Sequence, residues 1–177
     1  MQLSLSFPKN ILRNTTLLVY GDQAVVSGFS FLSSVVLARF LGVDGFGIYS
    51  VAWLGVLIAS SINQPLIIAP MQTLSGKKSP EEQNIYLQAL VFKQLLFAAA
   101  MGFLSFISVL FMEYILKDWK VDSIILAFPL AVFTFLLQDF FRRYFFVIGK
   151  PHKAILIDFV AYGGVLMSAF AIHFVQE

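Results

Sequence analysis

The chain has 177 residues, of which 59% are hydrophobic, 16% aromatic and only 12% charged. An average soluble domain is about 45–50% apolar and about 25% charged, so this chain lacks the polar side chains needed to clothe a water-facing surface. A disordered chain is excluded, and a net charge of +2 without a basic stripe speaks against a nucleic-acid partner. With no cysteine and two separated histidines, His152 and His173, no disulfide, thiolate centre or metal site is expected. No cofactor is implied.

The fold class expected is all-α, a polytopic transmembrane helix bundle of about five spans. A bilayer core of about 30 Å is crossed by about 20 apolar residues. Stretches of that kind run over 15–41, 46–74, 85–112, 123–148 and 154–175. The gaps between them are short, so residues 1–177 read as a single integral membrane domain. Lys9 and Arg13 precede a first span interrupted by Gly21-Asp22-Gln23, and no small-residue cleavage site follows a short apolar core. That is not the pattern of a cleaved signal peptide, and the first span is expected to be retained.

Gly42 closes the first span. In the second span Pro65 and Pro70 follow Asn63 and Gln64, and Pro129 lies in the fourth. Proline removes a backbone hydrogen bond, so these positions are expected to kink their helices. Two readings stand, a packing kink with Asn63 and Gln64 hydrogen-bonded to neighbours, which is the favoured one, and a bent helix facing a central cavity. Ser79-Pro80-Glu81-Glu82 has the form of a capping box with proline at the first helical position, opening the third span. Gly149-Lys150-Pro151 stops the fourth and starts the fifth. Small residues such as Gly102 are expected where helices approach closely.

Basic residues set the orientation. A cytoplasmic N-terminus places Lys9, Arg13, Lys77, Lys78, Arg142, Arg143, Lys150 and Lys153 inside, with only Arg39, Lys117 and Lys120 outside. Charges within spans are costly, about 2.5–3.5 kcal/mol each on insertion scales, so each calls for a partner or a purpose. Asp22, Lys93, Asp139 and Asp158 all fall in the cytoplasmic halves of their spans. Asp139 and Arg143 are four apart and share a helix face. This convergence suggests a polar cavity open to the cytoplasm, with Asp22, Lys93, Asp139, Arg142, Arg143 and Asp158 along a substrate path. The alternative is that Lys93 and the arginines snorkel to headgroups and Asp139 only neutralises Arg143. No phosphate-binding loop, HExxH or Gly-x-Ser-x-Gly is present, and no enzyme is expected.

The junction Ala38-Arg39-Phe40-Leu41-Gly42-Val43-Asp44-Gly45-Phe46-Gly47-Ile48-Tyr49 resembles the A-R-x-L-G-x-x-x-F-G-x-Y passage of polysaccharide and O-antigen flippases. These belong to the multidrug/oligosaccharidyl-lipid/polysaccharide (MATE-like) exporter superfamily. Residues 139–150, running on to Asp158, look like the same family's passage from span four to span five. The resemblance implies a multi-pass protein of the bacterial inner membrane that moves undecaprenyl-type lipid-linked sugars. Its partners would be the bilayer, the lipid-linked sugar and a second lobe or other membrane subunit. Arg39, Arg142 and Arg143 fall at positions where that family carries cavity cations. Five spans against a family of two six-helix lobes imply an incomplete N-terminal lobe, a truncated or partial chain, because two-lobe rocking needs both halves. A small scaffold or assembly protein is the alternative function, and a membrane-embedded transferase a more distant one. Reporter fusions test the expected orientation. A reporter after Gly76 or Lys153 should read cytoplasmic and one after Trp119 external; the same side for Gly76 and Trp119 would refute it.

Overall fold

The computed structural model describes residues 9–115 and 125–176, with side chains described over 27–28, 30–115, 125–161 and 163–164. Every regular element among them is helical, and the all-α class holds. In order they are α1 (Lys9–Asn63), a π-helical segment (Gln64–Ile68), α2 (Ala69–Leu74), a 3₁₀ turn (Ser75–Lys77), α3 (Pro80–Ile115), α4 (Ala127–Val147) and α5 (Pro151–Gln176).

α1 is broken where the sequence places the end of the first span. Gly42 takes φ 67° and ψ −174° inside it. That conformation is closed to a β-carbon without strain, so one glycine divides a 55-residue helical run into two arms. The second arm loosens at its end, where Pro65 lies in the π segment and Pro70 follows in α2. Pro129 behaves differently from the kink expected of it. α4 begins at Ala127, so Pro129 falls in the first turn, where its missing N–H would have no intrahelical partner anyway. The helix starts around this proline and is not bent by it.

The local start and stop signals take the forms their sequences suggest. The Ser79 N–H donates to Glu82 Oε2 at 3.1 Å, and the Glu82 N–H returns to Ser79 Oγ at 3.4 Å. This reciprocal box opens α3. At the end of α4 the Gly149 N–H donates to the Phe146 carbonyl (3.1 Å) and the Lys150 N–H to the Phe145 carbonyl (2.8 Å). With Gly149 at φ 70°, this is a Schellman closure.

The packing is antiparallel between α3 and α4, since Gly102 lies against Pro129 and Phe133 while Gln94 meets Leu136. The arm 43–63 runs parallel to α4, since Gly55 lies beside Phe128 while the later Ile67, Ile68 and Met71 pack with Phe140; the large Trp53 ring reaches Phe135 at 5.2 Å. α5 folds back on α4 and also lies along α1. Two apolar clusters fill the interior. Val56, Ala59, Ala98, Val132 and Leu136 form one; Ile67, Ile68, Met71, Leu87, Leu90 and Phe140 form the other. Residues on α3 enter this interior at 87, 90, 94, 98, 102, 105 and 109, a helical stripe.

The other faces of α3 are apolar too. Ile85, Phe92, Leu96, Phe103 and Phe111 are all exposed. A helix apolar all round belongs in a protein core or in lipid. Here only 22% of its apolar window is buried, so it is not a core helix of this fold. Two helical runs among the described residues, Ser30–Lys77 and Pro80–Ile115, are long and apolar enough to cross a membrane. Two rather than the expected five therefore meet that standard. The expected first span 15–41 and second span 46–74 meet in one continuous run past Gly42, and side chains before Ser27 lie outside the described residues. α4 is short and carries Asp139, Arg142 and Arg143, too many charges for so brief an apolar stretch. Most side chains in the second half of α5, His173 among them, lie outside the described residues.

Several hydroxyl groups on these helices are satisfied by their own backbone, whereas buried Ser33 Oγ has no hydrogen-bond partner among the described residues. Ser34 donates to the Ser30 carbonyl (2.9 Å), Ser108 to Leu104 (2.9 Å) and Thr134 to Leu130 (2.8 Å). Back-bonding of this kind lets an exposed serine or threonine sit in an apolar surrounding at little cost.

Two glycines separate backbone conformation from space. Gly149→Ala should lower stability by about 1 kcal/mol, because nothing crowds the position and only the positive φ opposes a β-carbon. At Gly102 a β-carbon would stand 3.4 Å from the Pro129 carbonyl oxygen and 3.5 Å from Phe133 Cβ. Gly102→Ala should therefore be tolerated, whereas Gly102→Leu should part α3 from α4. Thermal unfolding followed by circular dichroism in detergent checks both; an unaffected Gly102→Leu would contradict this packing.

Candidate functional site

α4 and α5 bring together four of the charged groups singled out in the sequence. Asp158 sits about two turns into α5 and is 1% exposed. Its Oδ2 lies 2.9 Å from Arg142 Nε, and its Oδ1 accepts a hydrogen bond from Gln138 Nε2 at 3.3 Å. Gln138 and Arg142 are four apart on α4, so one face of that helix presents both groups to the carboxylate. The neighbouring face carries a second pair. Arg143 Nε donates to both oxygens of Asp139, at 3.0 and 3.1 Å.

These two pairs differ in what they hold. Arg143 and Asp139 belong to one helix and remain partly exposed, so their bond adds only a few tenths of a kcal/mol. Arg142 and Asp158 join two helices, with the carboxylate removed from solvent. Desolvating a lone carboxylate costs several kcal/mol, and Arg142 and Gln138 offset that cost for Asp158. The short turn after Val147, closed by Gly149, reverses the chain so that Arg142 and Asp158 meet.

Lys93 is not part of this group. It is exposed on α3, while its neighbour Gln94 is buried and donates from Nε2 to the Leu136 carbonyl at 2.9 Å. Leu136 precedes Asp139 by three residues, about 4.5 Å along the axis, so Lys93 shares the approximate level of the cluster but not its interface. The spacing on α3 carried this signal. Position 94 falls on the stripe 87, 90, 94, 98, and position 93 falls about 100° off it. Arg39 is exposed on the first arm of α1, near the Gly42 break and apart from α4. The side chain of Asp22 lies outside the described residues. Pro65 and Pro70 flank the core residues Ile67 and Ile68.

Two features were not singled out as functional from the sequence. An aromatic column climbs the second arm of α1, with Phe46 and Tyr49 at 5.9 Å and Tyr49 and Trp53 at 6.4 Å, and ends on Phe135 of α4. The spacing 46, 49, 53 was available as a helical stripe, but nothing in it named Phe135 as the partner. The second feature is a crown of lysines held over rings. Lys78 Nζ stands 5.0 Å from the Tyr86 ring and Lys153 Nζ 5.7 Å from Phe145. Both lie at the end of the bundle where Tyr86, Tyr144, Val147 and Ile148 pack on one core cluster. Among the described residues no group of three or more His, Asp or Glu side chains is arranged to hold a metal ion.

No family model, no curated protein and no solved structure matches the chain.

Removing one partner of the buried pair should be costly. Arg142→Ala should destabilise the bundle by about 3 kcal/mol, and Arg143→Ala by no more than about 0.5 kcal/mol. The double replacement Arg142→Met with Asp158→Leu should recover most of the loss. Comparing the midpoints of chemical unfolding across the three variants checks this; equal losses for the two arginines would show that Asp158 does not depend on Arg142.

Proposed function

We propose that this chain is a multi-pass protein of the bacterial inner membrane that takes part in moving lipid-linked oligosaccharide or polysaccharide precursors, acting together with a second membrane lobe. Its arrangement on this reading is a five-span, MATE-like N-terminal lobe with a cytoplasmic N-terminus. The observation that carries the reading is the contrast between an apolar periphery and a charged α4–α5 seam near the lysine-rich end. A lipid-borne anionic headgroup suits such a place, where cations stand beside an apolar surface. The junction at 38–49 adds support, because its glycine, Gly42, divides α1 where the flippase-like pattern closes one span and opens the next. Of the candidate path cations, Arg39 and Lys93 are exposed and lie outside the seam.

A scaffold or assembly role is the second reading, favoured by a different observation. The seam's carboxylates are met by the seam's own arginines, Arg142 with Asp158 and Arg143 with Asp139, which is what a helix clasp requires. A transferase acting through Asp139 and Asp158 is less well supported, because both carboxylates are held by arginines.

Ligand binding separates these readings, because one lobe can hold a headgroup without its partner. The full chain in lipid nanodiscs should bind a fluorescent lipid-linked oligosaccharide above protein-free nanodiscs. Lys93→Gln or Arg39→Gln should weaken binding about tenfold, equivalent to about 1.4 kcal/mol, with helical content unchanged. Binding at the protein-free level, with a stable folded chain, would favour the scaffold.

A further inference from the structure

Between the two apolar clusters lies a thin polar layer. On the second arm of α1, Asn63 follows Ala59 of one cluster and precedes Ile67 of the other. On α3, Gln94 stands between Leu90 and Ala98, again one residue from each cluster. On α4, Leu136 and Phe140 straddle the same level, and the Leu136 carbonyl accepts from Gln94 Nε2. Asn63 is 0% exposed and Gln94 1%. Asn63 Oδ1, Asn63 Nδ2 and Gln94 Oε1 have no hydrogen-bond partner among the described residues.

Burying one such group unpaired costs about 1–3 kcal/mol, so three at one level need an account. A direct bond from Asn63 Nδ2 to Gln94 Oε1 would satisfy two of them at once. That bond is not formed. The backbone cannot supply a substitute from below, since the turn after Asn63 is the π segment and Pro65 carries no N–H. Two or more convergent polar groups are what an internal water needs, and here three are offered.

We propose that Asn63 and Gln94 form a binding site for internal water that bridges α1, α3 and α4. The water accepts from Asn63 Nδ2 and donates to Gln94 Oε1, while Gln94 Nε2 stays on the Leu136 carbonyl. The site marks the interior as hydrated at one level and dry on either side of it. It stands apart from the charged α4–α5 seam and holds whichever functional reading is correct.

Water-to-amide magnetisation transfer tests the site in the full chain, with side-chain nitrogens labelled and the protein in lipid nanodiscs. The Asn63 and Gln94 amides should both show transfer from a long-lived water. Asn63→Leu should abolish the transfer at Gln94 with an unchanged far-ultraviolet spectrum. Asn63→Ser, which keeps a donor and an acceptor in a smaller side chain, should retain it and decides the matter if the leucine variant does not fold. Absence of transfer at both amides in the unsubstituted chain would overturn the proposal. So would transfer at Gln94 that survives Asn63→Leu, or that is lost in Asn63→Ser.

Discussion

A polar group that leaves water must be met inside the protein, and this constraint shapes nearly every contact in the bundle. With 12% of its residues charged and its helices apolar on their outer faces, the chain cannot turn such groups toward a solvent of its own making. Serine and threonine hydroxyls bond back to their own helices. Gln94 reaches across to the carbonyl of Leu136. Asp158 is taken by Arg142 and Gln138. Each solution ties a helix to itself or to a neighbour, so satisfying the polar groups and fixing the helix arrangement are one act.

The seam between α4 and α5 shows how this works at the scale of an interface. Dispersion and apolar burial between two such helices are weakly directional, and many registers would bury similar area. A buried carboxylate removes that freedom, because a slip of one residue would carry Asp158 past Arg142. The Gly149 turn makes the meeting possible by reversing the chain within three residues after Val147. α3 is fixed on α4 by a neutral version of the same device, the Gln94 amide on a backbone carbonyl, with Gly102 allowing close approach further along. Charge and amide thus set register, while the apolar clusters supply the bulk of the contact.

Function enters through what these devices leave outside. The arginines that the flippase-like resemblance points to are divided by the fold. Arg142 and Arg143 face carboxylates of the seam, and Arg39 stands exposed beside the Gly42 break. Lysines over aromatic rings mark one end of the bundle as the charged one, in keeping with an anionic boundary there. On the transport reading proposed above, a path for an anionic headgroup would run past exposed cations, with the paired arginines as its wall.

The sequence by itself determined the helical class, the break at Gly42, the capping box at Ser79 and the closure at Gly149, because each depends on composition or on a few adjacent residues. It also grouped Asp22 and Lys93 with Asp139, Asp158 and the two arginines, since charges in long apolar stretches are rare enough to stand out; the fold keeps Lys93 outside that group. Only the tertiary structure decided which of them meet. Asp139 and Arg143 could be paired from their spacing, but Asp158 with Arg142 depends on the angle at which α5 returns. Lys93 and Gln94 are adjacent in the chain and part company in space, as a helix turns about 100° per residue and only one of them can face α4. Pro129 reads as a kink in the sequence and as a first-turn residue in the fold, because a proline's effect depends on where its helix begins. The polar layer of Asn63 and Gln94 needed three helices in place before it existed at all, since its members are 31 residues apart in sequence and meet only between the clusters that flank them.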